Sequence, residues 1–230
     1  MKEILVHIGH KKQEYAQLDF FHFLKDKSIP AKQRLSFAPY FAPFVMGFGE
    51  LNQYVWREEP TSDPIQEIIN QHTYEDDSHW IWFLEDLKNL GYDKSLDFTG
   101  ALKVIWSKEL KCSRQTFYEI YRYTYKANPI YKYVVMEAIE AIADIFLSTT
   151  KKVAEELESV SECEYRYFGM THFSCESNHS KDSSKNLEYI SSIQMEKDVE
   201  KEALELVEKV FELFSNFVDV LLTRAEKAKF

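Results

Sequence analysis

The sequence predicts an all-α protein, a single-domain helical bundle of about seven to nine helices. Three observations point there. Glycine is scarce, at six in 230 residues. Alternating runs of the kind strands need are few, and apolar residues recur at three and four along most of the chain. A chain of this length can bury a full core as one domain, 1–230. An aromatic share of 15% supplies both that core and an aromatic-lined cavity.

Taken in order, weaker helical patterns cover about 11–27 and 31–57. The first strong helix, 64–90, lies in TSDPIQEIINQHTYEDDSHWIWFLEDLKNLG. Asp63 is placed to cap it, Pro64 fits the first helical position, Gln66 sits where a capping box wants it, and Gly91 can end it. Weaker patterns follow at about 95–109 and 113–126. NPIYKYVVMEAIEAIADIFLSTTKKVAEEL then opens as the first strong helix does, with Asn128 as cap and Pro129 first inside. Another helix is expected over 164–180. The last runs from about 199 to 222, with Val199, Ala203, Val207, Val210, Phe214, Phe217 and Leu221 at helical spacing. Its amphipathic face suits docking in cis or a homodimer contact. The segment 177–192, rich in Ser, Asn and Lys, is the loosest.

Charge and motifs narrow the function. With 38 acids against 28 bases the net charge is −10, which argues against sequence-independent nucleic-acid binding. Three widely spaced cysteines without a CxxC pair suit a reduced, cytoplasmic protein. The start, MKEILVHIGHKKQEYAQ, has too few apolar residues for a secretory signal. No run approaches the roughly 20 apolar residues of a membrane span, so neither nucleic acid nor membrane is expected as a partner. G-x-x-x-x-G-K-[ST], G-x-S-x-G and H-E-x-x-H are all absent.

One pattern stands out. HTYEDDSH (72–79) and HFSCESNH (172–179) both read H-x-x-x-(D/E)-x-x-H and use four of the seven histidines. Seven histidines scattered at random give on the order of 0.2 pairs seven apart, so two such pairs, each with an acid four residues in, call for a reason. On a helix these positions share one face. His72, Asp76 and His79 would therefore face His172, Glu176 and His179 across a bundle. Four imidazoles and two carboxylates suit iron or manganese better than structural zinc. Asp76-x-x-His79 and Glu176-x-x-His179 also have the carboxylate-x-x-His spacing of di-iron bundles, which take further carboxylates from other helices. Glu140 is the best candidate. It lies in the otherwise apolar stripe Tyr133, Met136, Ala143, Leu147, where a buried carboxylate calls for a partner. Glu137 and Asp144 come second, and Glu50 is weaker. His7, His10 and His22 have no such context.

Glu140, thirty-two residues before an H-x-x-x-(D/E)-x-x-H, resembles the ligand pattern of the haem-oxygenase-like di-iron oxidases, in helix order and spacing over about residues 30–220. The resemblance implies a seven-helix fold that binds two Fe ions, as Fe(II), and reacts with O2 with the help of an external reductant. It also implies one iron on His79, His172 and a residue upstream of His79, and the other on Glu140, Glu176 and His179. The family usually has a carboxylate one or two turns before the first histidine. Here Asp76 stands one turn back and His72 two, and either or both can serve. In the family the third metal-bearing helix is often poorly ordered without iron. Ser174, Ser177, Asn178 and Ser180 weaken it here too.

GELNQYVWREEPTSDPIQEIINQHTYEDDSHW and YTYKANPIYKYVVMEAIEA are similar to the nitrile-forming branch of that family. This implies an aromatic α-amino acid as substrate, a brominated tryptophan converted to an indole-3-carbonitrile. Amine N-oxygenation, oxidative decarboxylation and ferritin-like iron handling are the alternatives. Glu75 and Asp77 are candidates to orient the ligating histidines. An apolar pocket for such a substrate is expected from Phe44, Phe48, Tyr74, Trp80, Tyr133, Tyr167 and Phe173. Arg166, ahead of Arg34 and Arg57 only by its nearness to a motif, would pair the substrate carboxylate.

Overall fold

Helices and their connecting turns make up the described residues, 1–93, 95–175 and 184–228, of this computed structural model. They are α1 (Lys2–Tyr15), α2 (Asp19–Lys25), α3 (Ala31–Arg34), α4 (Ala38–Leu51), α5 (Pro64–Asp76), α6 (Trp80–Asn89), α7 (Phe98–Ile105) and α8 (Lys111–Thr124). After them come α9 (Pro129–Glu158), α10 (helical over 170–175), α11 (Ser184–Ser192) and α12 (Lys197–Lys227). The all-α bundle is as predicted, and the two strongest start signals work. Asp63 Oδ1 accepts from the N–H groups of Ile65 and Gln66 at 2.8 and 3.0 Å. Asn128 Oδ1 accepts from the N–H of Ile130 at 2.9 Å. Gly91, with φ +87°, closes the turn after α6 in a conformation that side chains resist. Gln66 makes no capping box. Its amide instead donates to the Trp56 carbonyl and to Asn70 Oδ1.

Several expected helices are shorter or divided. The 11–27 pattern becomes α1, which begins at Lys2, and the separate α2. The 31–57 pattern divides into α3 and α4, with Pro39 in the first turn of α4, where its missing N–H is tolerated. α4 then widens into a π-helical turn over Asn52–Trp56. The 164–180 pattern is helical only from 170. There Gly169 packs so tightly that a Cβ would collide with the Tyr165 carbonyl oxygen.

α9 is the central pillar, with α12, α1, α2, α5 and α8 packed around it. Phe37 and Phe41 (α4) meet Phe146 (α9) at ring-centre distances of 5.9 and 5.2 Å, and Phe41 meets Phe217 (α12) at 5.6 Å. Such offset and edge contacts add to the burial of large apolar surface. Arg34 is 2% exposed and donates to the carbonyls of Leu24 and Ile29 and to Glu156. It secures the end of α2. Lys132 is equally buried and pairs with Glu58 at 2.5 Å. Among the described residues no helix is long and apolar enough to cross a membrane.

Candidate metal centre

The expected 64–90 helix is interrupted inside the first motif. Asp76 ends α5, and His79 is the N-cap of α6. Two local causes are visible. Arg57 reaches the Thr73 carbonyl at 2.9 Å and Asp77 Oδ2 at 2.8 Å, drawing the last turn of α5 toward the π-helical turn. Asp77 and Ser78 are themselves weak helix formers. Gly49 of α4 lies against the junction, where a Cβ would stand 3.1 Å from the Asp77 carbonyl oxygen. His79 keeps helical angles, φ −61° and ψ −22°. His72, Asp76 and His79 therefore still point to one side.

On that side they meet α9 and α10. His72 Nε2 lies 3.0 Å from Asp76 Oδ2 and 3.2 Å from Glu140 Oε1. The other oxygen, Asp76 Oδ1, faces His79 Nδ1 at 3.6 Å and accepts no hydrogen bond among the described residues, although it is buried. The rings of His79 and His172 stand 4.4 Å apart, centre to centre. His172 Nδ1 is 3.0 Å from the Tyr167 carbonyl. A carbonyl only accepts, so Nδ1 carries the proton and Nε2 keeps the lone pair that would bind a metal ion. His72, Asp76 and Glu140 each offer one atom within 4.8 Å of the others, a group that could hold a metal ion. Glu140 is half-buried rather than fully buried, with 24% of its side chain exposed. Glu176 and His179 lie outside the described residues.

Charge in this cluster is concentrated and opposed. Burial works to raise the Asp76 carboxyl, but His72, His79 and His172 outweigh it and hold the group well below the usual carboxylate range. Burial works to lower His72, yet Asp76 and Glu140 bring it well above the usual imidazole range. Without metal a proton on His72 thus offsets part of the charge of the two carboxylates. A metal ion at the same place would displace that proton.

The other candidates separate cleanly. Asp144 pairs with Lys12 at the surface, and Glu50 is exposed. Glu137 lies one turn from Glu140, and burial pushes its carboxyl up. Glu75 is exposed, and Asp77 is engaged by Arg57. For His172 the orienting group is the Tyr167 carbonyl.

Asp86 had no expected role. It sits two turns beyond His79 on the same face of α6, fully buried. Its carboxylate accepts the N–H groups of Arg166, Tyr167 and Phe168 at 2.8, 2.9 and 2.9 Å. It thereby holds the turn whose Tyr167 carbonyl orients His172. Asp86→Ala strips three N–H groups, two of them buried, of their acceptor and is expected to cost about 3 kcal/mol or more in a denaturant titration. Burial also pushes the Asp86 carboxyl up to about 6, against the pull of those donors. Because this lies above the unfolded value near 4, the folded state holds the proton more tightly. This group's contribution to stability therefore falls as pH rises from about 4 to about 6. Comparing wild type with Asp86→Asn across that window isolates the slope, which the variant lacks.

An aromatic cavity, partly open to solvent, adjoins Asp76, His79, Glu140 and His172. Phe44, Phe48, Trp80 and Tyr167 line it as expected. Phe214, Phe217 and Val218 of α12 also line it, which was not expected; the apolar face of α12 docks in cis, one of its two expected roles. Tyr133, Phe173 and Arg166 do not line it. Phe173 packs under Lys151 Nζ at 3.4 Å. Arg166 pairs with Glu85 and lies over Trp82, too committed at the surface to clamp a substrate. Tyr74 is exposed and bonded to Glu59. Among the described residues no lysine or arginine lines the cavity.

No protein-family model matches the chain, and no curated protein matches it in sequence.

Proposed function

We propose that the protein is an O2-dependent non-haem di-iron oxidase acting on an aromatic α-amino acid, with conversion of a brominated tryptophan to an indole-3-carbonitrile as the specific reaction. The carrying observation is the placement of Asp76, whose two oxygens are turned to two different donor sets. Oδ2 lies with His72 and Glu140, and Oδ1 faces His79 beside His172. Two ions would divide these donors differently from the family pattern, with His72 beside Glu140 and Asp76 offering an oxygen to each set. Glu176 and His179 would complete the set. Nitrogen and hard oxygen donors in this mixture fit iron. The chemistry supplied by an iron pair is the reductive activation of O2, with electrons from an external reductant.

The chain's own residues supply position and exclusion. His172 is oriented by the Tyr167 carbonyl, and that turn by Asp86. The aromatic walls hold an indole-sized body and keep water from it. With no lysine or arginine among the described lining residues, the amine and carboxylate of an amino acid would lie at the donor end.

The same lack of a cation favours one second reading, oxidative decarboxylation of a hydrophobic acid whose carboxylate meets the metals. Ferrous protein mixed with O2 and either brominated tryptophan or a medium-chain fatty acid, followed by mass spectrometry, separates the two. An indole-3-carbonitrile supports the first reading and an alkene one carbon shorter the second. Oxidised iron with no organic product removes both and leaves an iron-handling protein.

A further inference from the structure

α7 is a helix of apolar residues that buries none of them. Phe98 is 77% exposed and Trp106, directly after the helix, 68%; Leu102, Val104 and Ile105 are exposed as well. Contiguous apolar surface of this kind is uncommon unless something covers it. The adjoining helix shows a matching stripe. Ser113, Thr116, Ile120 and Thr124 are the buried side of α8. Lys111, Gln115, Tyr118, Arg122 and Tyr125, at successive turns of the opposite side, are all exposed. Arg114 ties the two helices together by donating to the carbonyls of Ile105, Trp106 and Ser107.

Charge says what this face fits. Residues 98–126 hold six bases (Lys103, Lys108, Lys111, Arg114, Arg122 and Lys126) and two acids (Glu109 and Glu119), a net +4 in a chain of −10. The rest of the protein is therefore −14. Aliphatic residues, an exposed tryptophan and tyrosines, all interleaved with lysine and arginine, form the composition that lies in the headgroup region of a bilayer. A symmetric contact with a second copy would set these bases against themselves. Nucleic acid would use the bases and rings but not Leu102, Val104 and Ile105.

We infer that α7 and the outer stripe of α8 dock the protein on an anionic phospholipid surface. This departs from the sequence-based expectation of no membrane partner, which rested on the lack of a spanning segment. A surface helix needs no span. The inference stands independently of the metal centre.

Flotation of the full chain with phosphatidylcholine vesicles, with and without phosphatidylglycerol, tests it. The protein is expected to float with the anionic vesicles and to be released as salt rises from about 50 to about 500 mM. Lys103→Glu/Lys108→Glu/Lys111→Glu should weaken binding on the order of a hundredfold. Phe98→Ser/Trp106→Ser should abolish it. All five positions are exposed, so unchanged circular dichroism and melting are expected in both variants. No flotation with anionic vesicles, or flotation that the Phe98/Trp106 variant retains, overturns the inference. So does a dimer in sedimentation equilibrium that this variant dissolves, because it would place a second copy on the face.

Discussion

Asp76→Ala is expected to lose both metal ions together, with affinity reduced at least about a hundredfold, while the helical bundle survives. One residue can have this effect because its two oxygens face the two donor sets at 3.0 and 3.6 Å. Removing one of several donors usually costs less than removing a shared one. Asp76→Asn keeps the shape and one good oxygen donor, and should retain a single, weaker ion. Glu67→Ala, on the exposed side of α5, should change nothing. Metal analysis after anaerobic equilibrium dialysis distinguishes all three. Loss of only one ion in Asp76→Ala would mean the carboxylate serves one set alone.

Metal binding is expected to stabilise the fold substantially, because the donors come from α5, α6, α9 and α10, which are far apart in sequence. At a free metal concentration about a thousand times Kd, the gain is about 4 kcal/mol. For a chain of this size that corresponds to a rise in Tm of roughly 8–16 °C. Hydrogen exchange should show where the gain lies. Protection should increase at the end of α5, the start of α6 and in α10, and change little in α12. A uniform increase would indicate global stabilisation without local ordering, and no increase would mean the donors do not grip an ion.

Much of the site was legible because it obeys helical spacing. The doubled motif placed His72, Asp76, His79 and His172 correctly on inward faces, and the stripe of α9 picked out Glu140. The break after Asp76 was not legible, since it depends on Arg57 reaching across from another element and on the close approach of Gly49. Such contacts leave no local periodicity. The choice of Arg166 failed for a related reason. Nearness in sequence to His172 says nothing about Glu85 and Trp82, which hold it. Asp86 could have been found, as an acid two turns after His79 on a buried stripe. The exposure of α7 could not, because an apolar helix reads the same whether its neighbours cover it or not.

The most direct measurement is an anaerobic Fe(II) titration of the full chain, with bound metal counted at saturation. Two ions per chain are expected, both requiring Asp76, with His79→Ala and His172→Ala each lowering the count. No bound iron at the end of the titration, or a count indifferent to those substitutions, would contradict a metal centre built from the doubled motif.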